Sequence, residues 1–128
     1  MIANLATRSA YTSQTDSAQA AAELIAGLGA VTPRLVVFFA TVEQDGALIG
    51  NALRLRFPEA HVAGCSSNGE FSEQGHGTGG AVALALGSDV IAQVASTLAI
   101  LDDGVPAGIE AAAAALSANS LRVQRCTA

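Results

Sequence analysis

A chain of 128 residues with a net charge of −5 suits one domain, large enough to bury roughly two thirds of its unfolded surface. Its six cationic side chains are all arginine and are scattered, so the basic stripe that nucleic-acid binding requires is missing. Cys65 and Cys126 lie too far apart for a disulfide framework or a zinc knuckle, and no apolar run approaches the roughly 20 residues of a membrane span.

No basic start followed by an apolar core opens the chain, so "MIANLATRSAY" does not read as a signal peptide. The chain is expected in the cytoplasm, with its thiols reduced. Hydrophobic residues make up 51 %, yet 28 positions are alanine and there is no tryptophan, so the core must be thin and built from Leu, Val, Ile and Ala.

Residues 2–11 carry a weak edge-strand signal. "TDSAQAAAELIAGLG" predicts a helix, with Asp16 and Gln19 spaced as a capping box and Gly27 and Gly29 as the stop. Its apolar face is expected to hold Ala18, Ala21, Ala22, Ile25 and Leu28. After Pro33, the unbroken apolar run Leu35–Ala40 predicts a central strand covered on both sides. A "TVEQDG" loop then leads to Asp45, the expected N-cap of a helix over "GALIGNALRLRF". Leu48, Ile49, Ala52, Leu53 and Phe57 should face inward there, with Arg54 and Arg56 favourably placed near the C-terminal end. Pro58 ends that helix, and "HVAGCS" reads as a second strand, parallel to the first through a right-handed crossover. "SEQGHGTGG" holds four glycines and reads as a flexible loop. "AVALALG" and "VIAQVASTLA", joined by "GSD", predict a β-hairpin. A final helix is expected over "PAGIEAAAAALSAN", from Pro106 to a stop at Asn119. The fold class is therefore α/β: a mixed sheet with a β-α-β unit followed by a β-hairpin, and helices packed on the sheet.

In open α/β sheets, ligands sit at the carboxyl ends of parallel strands, which points to the loops Thr41–Asp45 and Cys65–Glu70. The spacing in Gly64-Cys65-Ser66-Ser67-Asn68-Gly69 is wrong for a nucleophile elbow. As a nucleophile, Cys65 would need a base. His61 lies four residues back on the same strand, more than about 12 Å away, which leaves His76. Without lysine there is no Gly-Lys-Ser/Thr phosphate loop, and the two histidines show no metal-ligand spacing. What remains suits binding: Ser66, Ser67 and Asn68 offer donors and acceptors, Gly69 lets a backbone come close, and Glu70 can pair with a cation. The same residue types also favour turns for purely structural reasons.

"LVVFFAT", then "FPEAHVAGCSSNGEF" and "GHGTGGAVALAL", resemble the N-terminal part of the FIST domain, over roughly residues 7–118. The most specific stretch is Gly64, Cys65, Ser66, Ser67, Gly69 and Glu70. The resemblance implies a non-enzymatic sensory module of signal-transduction proteins, binding small ligands such as amino acids. It would signal to a histidine kinase or a cyclic-dinucleotide enzyme. Ligand contacts are then expected at Cys65, Ser66, Ser67, Asn68, Gly69 and Glu70. The similar NosP group binds haem to sense nitric oxide. The resemblance assigns no axial ligand, and His61 and His76 are the two imidazoles from which one could come. FIST proteins usually run longer, so residues 1–119 are read as an incomplete FIST N-terminal-like domain and 120–128 as an unassigned tail. An incomplete sheet would expose an edge and favour homo-oligomers.

Overall fold

The computed structural model describes residues 7–72 and 75–118, with side chains described throughout these except between residues 70 and 76. Cys126, the stop expected at Asn119 and the tail 120–128 lie outside the described residues. The elements in chain order are β1 (Thr7–Thr12), α1 (Ser17–Leu28), β2 (Pro33–Thr41), α2 (Gly46–Arg56), β3 (His61–Ser67), β4 (Glu70–Ser72), β5 (Gly75–Gly77), β6 (Ala81–Gly87) and α3 (Val105–Ala118). The described residues up to Ala92 form one compact unit, and those from Gln93 form another.

Four strands make a mixed sheet in the order β1-β6-β2-β3. β2 and β3 are parallel, and β6 is antiparallel to both β1 and β2. β1, β2 and β3 therefore share one direction and bring their carboxyl ends, Thr12, Thr41 and Ser67, to the same edge. β6 starts at that edge. α1 and α2 also begin there, so two helix N-termini face the loops that the three parallel strands leave behind.

Both helices start as their sequences require. Asp16 caps α1 by accepting from the Gln19 backbone N–H at 2.9 Å, and Asp45 caps α2 by accepting from Leu48 N–H at 3.0 Å. α1 ends at Gly29, whose N–H donates to the Ile25 carbonyl at 3.2 Å with φ +64, a conformation that glycine adopts without steric cost. The buried face of α1 is Ala20, Ala21, Leu24 and Leu28, while Ala18 and Ala22 are exposed. The expected face was turned because alanine gains little from burial, so the large side chain of Leu24 sets the rotation. On α2, Ile49, Gly50 and Leu53 are buried and Leu48 stays exposed, again a small rotation from expectation.

Among the described residues the apolar core holds fifteen side chains, seven of them alanine, which lets the helices sit close on the sheet. At Gly27 of α1, a Cβ would come within 2.7 Å of the Ala10 Cβ on β1, so any larger residue would lift the helix. The Phe38 ring fills the thickest part, with Gly64 of β3 and Gly50 of α2 both against it.

Two expectations are corrected. β2 is not covered on both sides: Val36, Phe38 and Ala40 are buried under α1 and α2, whereas Phe39 on the other face is 42 % exposed. The hairpin expected between 81 and 99 does not form, because β6 pairs with β1 along one edge and β2 along the other. No ladder position on β6 is left for Val90–Ala99, which has no regular structure. A hairpin does follow the β-α-β unit, but it is β4 with β5, and β5 lies within the stretch expected to be a flexible loop.

In the second unit, Gly104 closes a turn with φ +100, its N–H donating to the Leu101 carbonyl at 2.9 Å. α3 then starts at Val105, one residue ahead of the expected Pro106, and Gly108 packs on the Leu101 side chain. No described helix is long and apolar enough to cross a membrane.

Beside the shared edge, the buried Thr12 hydroxyl donates to Glu23 at 2.5 Å and accepts from Gln14 N–H at 3.1 Å. The Gln14 side chain also donates to Glu23, at 2.9 Å. These bonds, Thr12 first and Gln14 second, hold the Glu23 carboxyl below its ordinary range. A lowered folded-state pKa means that this contribution is present above the unfolded value and is lost as pH falls through the folded one. The melting-temperature difference between the wild type and Glu23→Ala is therefore expected to be largest near neutral pH and to narrow in the acid range below ordinary glutamate titration. A difference that stays constant across that range would refute it.

Candidate functional site

At the carboxyl edge one buried side chain ties three loops together. Gln44, only 8 % exposed, donates from Nε2 to the Gln14 carbonyl at 2.7 Å and to the Gly79 carbonyl at 2.8 Å. Its Oε1 accepts from the Ser17 hydroxyl at 2.7 Å, and Ser17 Oγ in turn accepts from the Asp45 N–H at 2.8 Å. The loops after β1, after β2 and before β6 are thus held by one amide. Sequence reasoning placed Gln44 in a candidate loop without singling it out. A glutamine in a polar loop carries no pattern, and only the folded chain brings Gln14 and Gly79 to it.

Two cavities open on this edge. The first, about 320 Å³, lies where the start of α2 meets β2 and β3; its walls include Phe38, Gly64, Cys65, Ser66, Gln44 and Gly46. The second, about 340 Å³, is walled by Thr15, Glu43, Ser67, Asn68, Thr78 and Gly79. Thr41 and Val42 line both. Thr41 is 3 % exposed, and its Oγ1 is a buried polar atom with no hydrogen-bond partner among the described residues. Such an atom in a native fold asks for an explanation.

The structure divides the residues singled out from the sequence. Cys65 and Ser66 line the first cavity, and Ser67 and Asn68 the second. Ser66 and Ser67 belong to β3, which runs one residue beyond the expected end, so the turn itself begins at Asn68. Gly69 lines neither cavity; a Cβ there would meet the Gly77 carbonyl at an ordinary 3.5 Å. The Glu70 backbone belongs to β4 opposite Gly77, and its side chain is outside the described set.

Cys65 is an exposed free thiol in register with Phe39. His61 sits at the opposite end of β3, in register with Leu35, and lines neither cavity. The His76 backbone pairs with Phe71 across the β4–β5 hairpin. The described walls of the two cavities contain no imidazole, so they offer haem iron no histidine nitrogen; Cys65 is the one residue there of a haem-ligand type. Among the described residues no group of three or more His, Cys, Asp or Glu could hold a metal ion.

Residues 34–125 match the family model of the FIST N domain. The chain belongs to the FIST N-domain family. FIST is a sensory domain of signal-transduction proteins. No curated protein and no solved structure matches the chain. The matched span starts in β2 and contains Thr41, Gln44, Gly46 and the four cavity-lining residues from Cys65 to Asn68. Gln14, Thr15 and Ser17, which complete the edge, precede it.

Proposed function

We propose that this FIST N domain senses a small polar ligand at the carboxyl edge of its sheet, without catalysing a reaction. The observation that carries this reading is the placement of Cys65, Ser66, Ser67 and Asn68, four polar residues at one strand end, in the walls of two adjoining cavities. A ligand there would touch all the loops that Gln44 joins, so its arrival can be passed to the rest of the edge. Binding is favoured over chemistry because the described walls give the Cys65 thiol no imidazole or amine to take its proton.

An amino acid is the ligand class that the FIST resemblance implies. Glu43 on the second cavity offers a carboxylate to an amine, and the hydroxyls of Ser67 and Thr78 and the amide of Asn68 offer further hydrogen bonds. The output would pass to a histidine kinase or a cyclic-dinucleotide enzyme in the cytoplasm.

Thermal melting of the folded chain against a panel of amino acids tests the reading. A specific ligand held at about 100 times its Kd stabilises by about 2.7 kcal/mol through mass action, which raises Tm by several degrees. Uniform melting across the panel would remove the amino-acid proposal.

A further inference from the structure

We infer that the N-terminus of α2, together with the Thr41 hydroxyl, forms a carboxylate-binding subsite within the first cavity. This inference rests on the ligand-sensing reading above and assigns one end of the ligand to one wall of the site.

Four backbone N–H groups at a helix start lack helical acceptors. At α2, Leu48 N–H is taken by the Asp45 side chain and Ile49 N–H by the Asp45 carbonyl. The N–H groups of Gly46 and Ala47 find no acceptor among the described residues. Gly46 lines the cavity, and apart from its chain neighbours and its own helix backbone nothing lies within 4 Å of where its Cβ would stand, which leaves this turn open to approach. The helix dipole favours negative charge there.

The second observation is independent of the helix. Thr41, on the same cavity wall, is 97 % buried by its 3 % exposure, and its hydroxyl has no hydrogen-bond partner among the described residues. An oxyanion between Thr41 and Gly46 would satisfy both. The described walls carry no arginine, while Glu43 and Asp45 are close at hand. The Asp45 carboxylate already caps this helix start, and repulsion from it and Glu43 weighs about half as much on a singly charged carboxylate as on a dianion such as sulfate, so a carboxylate is the anion class that fits best.

The test follows backbone amide resonances of the full chain during titration with sodium acetate, with sodium sulfate at matched ionic strength as a comparison. Acetate is expected to move the Gly46 and Ala47 amides saturably, and sulfate to move them less. Thr41→Val, which keeps the side-chain shape, should melt no lower than wild type yet bind acetate at least about fivefold more weakly. Gly46→Pro, acceptable at the first helical position after the extended Asp45, should weaken acetate binding by removing one N–H. Absence of saturable movement, sulfate binding as tightly as acetate, or undiminished acetate binding by Thr41→Val would each overturn the subsite. If amino acids still raise Tm while acetate leaves α2 untouched, this inference alone falls. If both responses are absent, the sensing reading falls with it.

Discussion

Gly64→Ala is expected to destabilise the fold by about 1–3 kcal/mol and to abolish any ligand response of the first cavity. The added methyl would overlap the Phe38 ring, with Cζ only 2.6 Å away. The ring has limited room to retreat, because the same Cζ also lies near Gly50 of α2, where a Cβ would stand 3.4 Å from it. Interiors are close-packed, so the strain must move β3, α2 or the ring itself. Each of these lines or borders the cavity at Phe38, Gly64 and Gly46. Thermal melting checks it directly, with a loss of about 3–6 °C per kcal/mol for a chain of this size. Gly46→Ala serves as the comparison, since nothing lies near its Cβ position and its stability should be nearly unchanged. Equal melting of the two variants would show that Phe38 yields freely, contrary to the packing described.

Gln44→Met should cost comparably through a different route. Methionine keeps the length of the side chain but removes its donors and its carbonyl. The Gln14 and Gly79 carbonyls would then lose this donor, and the Ser17 hydroxyl its acceptor, while Ser17 keeps the bond from Asp45 N–H. Each buried group left unpaired costs about 1–3 kcal/mol, reduced where water can reach it. Urea unfolding should show a lower midpoint with an unchanged slope, and amide exchange should quicken around residues 14–17 and 79–80. Unchanged exchange at both loops would mean that the amide does not hold them. Ligand-induced stabilisation should weaken as well, since Gln44 lines the first cavity and Gly79 the second.

Much of the fold is legible in the chain because it depends on neighbours in sequence. Asp16 and Asp45 cap helices through residues three positions away, and the apolar run from Leu35 to Ala40 forms a strand whichever neighbours it acquires. Elements whose form depends on distant partners were misread. "VIAQVASTLA" has strand-like composition, but β6 is already paired on both edges. Three-residue strands at Glu70–Ser72 and Gly75–Gly77 are too short to carry any alternation. The site was half legible. Position after a strand marked the loops Thr41–Asp45 and Cys65–Glu70, yet nothing local separates the buried Gln44 and Thr41 from exposed loop polars.

The sequence by itself determined where α1 and α2 begin, which runs become the central strands, and which polar strand end lies at the carboxyl edge, since hydrogen bonding and steric preference within a few residues decide these. Only the tertiary structure decided that β6 enters between β1 and β2, that Ser66 and Ser67 serve different cavities, and that Gln44 joins three loops. Those outcomes rest on contacts between residues far apart in the chain, 35 positions in the bond from Gln44 to Gly79 and more in the pairing of Thr7 with Leu86, whose energies exist only once the sheet has closed around them.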